Sequence, residues 1–254
     1  MFNKQIMSAK KTLENLWNST QRANQTFEPE RMPALPDPAF RYLLHAIEPG
    51  APLANAVRLQ MHGEIKLNKW YSFEAEQVIH AERGMIWRAT AWMSGIPVRG
   101  ADRIIDGKGS MIWRLLGIIP VMKASGPDIT RSAAGRLQGE CVWLPSRLTR
   151  DDVHWTAQDS LLPSAELTLA GYTETVDLLM AEEGRLLKVS LPRWGNPEGN
   201  TFGLYTFGAQ AEEERTFGAY TIPSRFRAGW HFGSDRFEED GEFFRCTIDR
   251  AEFR

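Results

Sequence analysis

The stretch Val57-Arg58-Leu59-Gln60-Met61-His62-Gly63-Glu64-Ile65-Lys66-Leu67 decides the fold class. Val57, Leu59, Met61, Ile65 and Leu67 fall on one side of an extended chain, and Arg58, Gln60, His62, Glu64 and Lys66 on the other. This period of two is the mark of an antiparallel strand with one face buried and one face in water. Working outward, candidate strands follow at Tyr71–Ala81, Met85–Met93, Ile96–Asp106 and Gly109–Leu116, with short turn sequences between them, so the chain reads as a meander of hairpins.

The meander is expected to break at Pro120. A helix is predicted over Asp128–Val142, with Asp128 as its cap, Ala133, Leu137, Cys141 and Leu144 along one side, and Pro145 as its stop. Strand patterns resume at Ala165–Tyr172, Glu174–Met180 and Arg185–Leu191. A loop at Trp194–Gly199 interrupts them, before Tyr220, Ile222, Phe226, Ala228, Trp230 and Phe232 alternate with polar residues and Phe244, Cys246 and Ile248 close the chain. Ahead of the meander, Ile6, Leu13, Leu16 and Trp17 suggest an amphipathic helix over Asn3–Asn18. A joint at Met32–Pro36 and a short helix begun by Asp37 and Pro38 follow it.

The fold class is therefore mainly β (α+β): a strongly curved antiparallel sheet or incomplete barrel, with N-terminal helices and a central helical insertion at about residues 120–148 covering the concave side. Residues 1–36 read as an arm and joint, and 37–254 as a single domain.

Composition narrows the function classes. The 254 residues carry 30 basic and 32 acidic side chains, a formal charge of −2, so no overall field recruits nucleic acid. Two cysteines, Cys141 and Cys246, lie far apart without zinc spacing, and His45, His62, His80, His154 and His231 form no ligand motif; neither a metal nor a cofactor is expected. Gly107-Lys108-Gly109-Ser110 departs from the phosphate-loop pattern and reads as a hairpin turn. The apolar run Leu115–Met122 is too short to span a membrane and contains Gly117 and Pro120, but it could form an apolar lip. The N-terminal residues lack an apolar signal region, and on that ground the expected compartment is the cytoplasm. Nine Trp, thirteen Phe and five Tyr imply a large core or a roomy apolar cavity.

Candidate site residues follow from placing these side chains on the strand pattern. Trp87 and Trp113 project among Met85, Ala89, Met93, Met111 and Leu115, a lining suited either to an ordinary core or to variable apolar ligands. Asp102 shares its face with Ile96, Val98 and Ile104, and Arg131, Arg136 and Glu140 on the covering helix are available to it. The group serves either to orient a ligand's polar end or as an ion pair pinning helix to sheet. Trp143 is expected near the same cavity. Arg225, Arg227 and His231 make a local basic ladder that an anionic head group could use, while Glu212–Glu214 and Glu238–Asp240 are expected in turns.

The strings Arg99-Gly100-Ala101-Asp102-Arg103, Gly126-Pro127-Asp128-Ile129-Thr130-Arg131-Ser132, Glu140-Cys141-Val142-Trp143-Leu144-Pro145-Ser146 and Pro192-Arg193-Trp194-Gly195-Asn196-Pro197 resemble those of an uncharacterised bacterial family of unknown function, from about Ala39 onward. The order of strands, helical insertion and further strands is similar to the half-barrel of LolA/LolB-type lipoprotein carriers, and the resemblance implies an apolar cup that holds acyl chains. The leading expectation is non-catalytic binding of an apolar or amphipathic small molecule at Trp87, Asp102, Trp113, Arg131, Arg136, Glu140 and Trp143. Two alternatives stay open: an enzyme using Asp102 or Glu140 as acid or base beside an arginine, and an interaction scaffold whose arm docks a partner.

Overall fold

In the computed structural model, which describes residues 12–32 and 34–254, the alternating stretch forms β1 (Ala56–Lys66), with Val57, Leu59 and Met61 buried and Gln60 and His62 exposed. Leu67 falls just beyond it and is exposed. The hairpins continue through β2 (Trp70–His80), β3 (Gly84–Met93), β4 (Ile96–Ile105) and β5 (Lys108–Leu115). Asp106 and Gly107 carry the positive φ angles, 48° and 74°, that a tight β4–β5 hairpin requires.

The meander does not break at Pro120. Residues Ile119–Ser125 form β6, paired with β5, and Arg114 opposes Pro120 beside a register shift. A proline is tolerated there because β6 is an edge strand with no further neighbour to receive its missing N–H. Helix α1 is described over 12–18, and the remainder of the Asn3–Asn18 expectation lies outside the described residues. Leu13 and Leu16 pack against Val78 and Ile86, and Glu14 pairs with Arg58, so this part of the arm lies on the sheet's polar face. Helix α2 (Asp37–Ala46) is capped by Pro36, and Asp37 sits in its first turn paired to Arg41.

Helix α3 (Pro127–Gly139) is shorter than expected, because the chain tightens into two single helical turns at Glu140–Trp143 and Pro145–Thr149. Gly126 caps it, and Asp128 instead accepts a hydrogen bond from Trp194 Nε1 at 2.9 Å. The second half comprises β7 (His154–Ala157), β8 (Pro163–Leu169), β9 (Tyr172–Met180), β10 (Leu186–Gly195), β11 (Gly203–Phe217), β12 (Tyr220–Trp230) and β13 (Glu242–Phe253). Strand β11 is a correction: Glu212–Glu214 lie on it at two register shifts, not in a turn, since Arg225 on β12 pairs with Glu212 and Glu213 and His45 with Glu214. Periodicity fails there because the bulges shift the register, so that Glu212 and Glu213 both meet Arg225. Glu238–Asp240 fall in a helical turn before β13.

All thirteen strands form one antiparallel sheet in the order β6-β5-β4-β3-β2-β1-β13-β12-β11-β10-β9-β8-β7. Among the described residues only the β1–β13 pairing joins strands distant in sequence, with Val57 opposite Phe253 and Ile65 opposite Phe244. The sheet curves until α3 touches β4, β5 and β6 from one half and β8, β9 and β10 from the other. The main core lies between this curved face and the helices, and it includes Leu43, Leu59, Phe73, Met85, Trp87, Leu144 and Ile248.

His80, at the β2–β3 turn, is buried, and its Nδ1 accepts from the backbone N–H groups of Glu82 and Arg83 at 3.2 and 3.4 Å. Burial lowers its pKa from 6.5, opposed in part by Glu82. The unfolded chain then binds the proton more tightly, so this contribution is whole above about pH 6.5 and is lost as pH falls below it. Melting curves from pH 7.5 to 5 (roughly spanning the imidazole range) are expected to show Tm falling in the wild type and a shallower fall in His80→Gln.

Candidate functional site

Between the concave face and α3 lies a cavity of about 320 Å³. Its walls are aromatic and aliphatic: Trp87 of β3, Phe207 of β11, Phe226 and Trp230 of β12, and Phe243 and Phe244 of β13, together with Trp143 of the helical turn. Phe244 stacks on Phe73 at 5.0 Å, and Trp143 packs on Phe226 at 4.9 Å. Contacts of this kind hold the wall side chains in place around the space.

Four charged residues line the cavity: Asp102, Arg136, Glu140 and Arg193. Arg136 lies one helical turn before Glu140, and its Nε donates to Glu140 Oε1 at 2.6 Å while another guanidinium nitrogen donates to Asp102 Oδ2 at 3.3 Å. The same guanidinium sits 5.1 Å above the Trp87 ring. Buried Gln77 donates to Glu140 Oε2 at 2.5 Å, and Trp113 Nε1 donates to Asp102 Oδ1 at 2.9 Å. One arginine thus holds two carboxylates, and each carboxylate has a second donor.

Burial pushes the Asp102 pKa up, against the opposing effects of Arg136 and the Trp113 hydrogen bond. For Arg136 burial works against the charge, but Glu140 and Asp102 outweigh it and its pKa is raised. Arg193 differs. Its Nε donates to the Ser132 carbonyl at 3.1 Å, its guanidinium lies 4.5 Å from the Phe207 ring and 5.0 Å from the Trp230 ring, and among the described residues no carboxylate forms an ion pair with it. Burial, followed by repulsion from Arg136, pulls its pKa down to about 9, so it stays cationic at neutral pH.

Two glycines make the arrangement sterically possible. A Cβ on Gly100 would meet the Trp113 ring at 2.3 Å, and one on Gly135 would meet Arg193 Cγ at 3.0 Å. Trp113 therefore lies across bare backbone to reach Asp102, and α3 comes down onto the Arg193 stem.

Of the residues singled out from the sequence, Trp87, Asp102, Arg136, Glu140 and Trp143 line this cavity, and Trp113 reaches it through Asp102. Arg131 does not belong: its guanidinium stacks on Trp194 at 4.2 Å and approaches Glu174 at 4.0 Å, because its place on α3 turns it toward β9 and β10. Nor is the Arg225–Arg227 ladder free for an anion, since Arg225 pairs with Glu212 and Glu213 and Arg227 with Glu238 and Glu242. Sequence reasoning missed Arg193, Gln77 and the phenylalanines of β11 and β13. The local signal for Arg193 is that it shares a strand face with Leu191, and β10 runs on through Gly195 into the stretch expected as a loop. Cys141 is buried, and burial pushes its thiol up to about 12, which disfavours the thiolate form.

Two outcomes test this geometry. Arg136→Met leaves two buried carboxylates facing each other and is expected to cost about 3 kcal/mol of stability, part of which returns when Asp102→Asn is added, as read by denaturant unfolding. Gly100→Ala is expected to cost roughly 1–3 kcal/mol and to change tryptophan fluorescence as Trp113 is displaced.

Comparison with solved structures finds similar architecture at low identity. A LolA superfamily protein from Nitrosomonas europaea matches with a TM-score of 0.45 and 13% identity over 85% of this chain and 92% of its own. A domain from Vibrio parahaemolyticus named for outer membrane lipoprotein sorting matches at 0.43 and 11%, over 79% and 86%. A DUF1329 family protein from Desulfovibrio piger matches at 0.44 and 9%, over 79% and 86%. The cytoplasmic expectation does not hold: the similar structures include a domain named for outer membrane lipoprotein sorting. No curated protein matches the sequence. The family model that does match covers residues 33–253, and the chain accordingly belongs to the Family of unknown function (DUF6920).

Proposed function

We propose that this protein binds an amphipathic small molecule in the cavity, with its apolar part among Trp87, Phe207, Phe226 and Phe244 and an anionic end at Arg193. The observation that carries the reading is the unequal treatment of the two arginines. Arg136 is saturated by Asp102 and Glu140, while Arg193 is half-buried in the same space with the Ser132 carbonyl and hydroxyl and two aromatic faces. A half-buried cation without a direct ion-pair partner is costly, and a carboxylate or similar head group offsets that cost when it binds. The volume, about 320 Å³, falls at the small end of the range for ligand pockets.

Asp102 and Glu140 support this reading more than acid–base chemistry. Each of their oxygens already accepts a hydrogen bond, from Trp113, Arg136 or Gln77, which leaves them as the frame that holds Arg136. The test is a delipidated sample titrated with a medium-chain carboxylate and with the alcohol of equal length, followed by tryptophan fluorescence and Tm. The wild type is expected to prefer the carboxylate. Arg193→Gln is expected to weaken the carboxylate about tenfold or more while changing the alcohol little, in keeping with a charge-assisted hydrogen bond. Ala228→Trp, which fills the space, is expected to abolish both. If neither compound binds the wild type, the reading fails.

A further inference from the structure

We propose that one corner of the sheet, made of the β3–β4 turn, the β5–β6 turn and edge strand β6, is a docking surface for an anionic phospholipid bilayer. The inference does not depend on what the cavity holds. Nine large apolar side chains are exposed among the described residues, and six of them, Ile96, Leu116, Ile118, Ile119, Val121 and Met122, gather at this corner. Ile118, Ile119 and Val121 are 53–55% exposed, a degree that an ordinary surface does not concentrate in one place. A hydrogen bond from the Leu116 N–H to the Pro97 carbonyl ties the β5–β6 turn to the start of β4, beside Ile96, so the patch is a continuous, built surface.

The charges beside it choose the partner. Arg99 and Arg114 stand directly opposite each other on β4 and β5, and Lys123 follows on β6. Like charges opposed across a ladder are unfavourable unless an anion lies near. Among the described residues no carboxylate pairs with any of the three, although Arg58 and Arg88, on the same outer face, both pair with Glu76. The unneutralised cations therefore stand beside the exposed apolar side chains, the pattern of a surface that sinks apolar groups among acyl chains while cations meet lipid phosphates. A protein partner adding a strand to β6 fits less well, because Pro120 and the register shift at Trp113/Arg114 interrupt the edge. No helix among the described residues is long and apolar enough to cross a membrane.

Co-sedimentation of the full chain with vesicles of phosphatidylcholine, with and without phosphatidylglycerol, tests the proposal. The wild type is expected to bind the anionic vesicles, and less at high salt. Ile118→Asp with Val121→Asp is expected to abolish binding, and Arg99→Ser with Arg114→Ser to weaken it on the order of tenfold or more. Leu204→Asp, an exposed apolar residue on β11, is expected to bind as the wild type does. Unchanged melting temperatures confirm that the variants are folded. The proposal is overturned if the wild type ignores anionic vesicles, if the corner variants bind as well as the wild type, or if light scattering shows a dimer that Ile118→Asp dissociates without any vesicle binding.

Discussion

The pairing of β1 with β13 is the constraint on which the rest of the structure depends. Every other ladder joins strands that are neighbours in sequence, and such hairpins could form in either half alone. Only the register that sets Val57 against Phe253 and Ile65 against Phe244 makes one sheet of the two halves. Through it, Trp87 and Asp102 from the first half face Arg193, Phe207 and Trp230 from the second across a single space. Closing so long a loop is entropically costly, and the burial of Met61, Ile248 and Cys246 along that seam is part of what offsets it.

Helix α3 converts the curved sheet into a container. It reaches strands of both halves, so its position sets how far the sheet can close. It also brings Arg136 to Asp102, which makes the ion pair both a clasp between helix and sheet and the polar floor of the cavity. A partly buried pair of this type adds little net stability compared with apolar packing, whereas removing one partner is costly. Arg193 draws its character from the same crowding: it shares the space with Arg136 and lacks an acid of its own, and so its charge is the one left to be answered.

Much of the architecture was legible because half-buried antiparallel strands write themselves as alternation. The β1–β5 meander and the last two strands stand where alternation places them, although the end of β2 and the start of β3 are buried on both faces. Where the pattern failed, a physical reason is visible. Strand β6 holds Pro120 and is exposed on an edge, β11 is bulged where Glu212–Glu214 run together, and β7 is only four residues long. The cap expected of Asp128 went to Gly126, while the aspartate met an indole from β10, a partner no local rule could supply.

By itself the sequence determined the strand faces, the helical insertion and the spacing that puts Arg136 and Glu140 on one side of a helix, since these depend on neighbours within a few residues. Tertiary structure alone decided that Trp113 would reach Asp102, that Arg131 would turn away to Trp194, and that Arg193 would stand unpaired between two aromatic rings. Those outcomes depend on how far the sheet curls and where the helix lands on it. The first rests on a pairing as distant as Val57 with Phe253 and the second on contacts of α3 with strands of both halves, which no local period records.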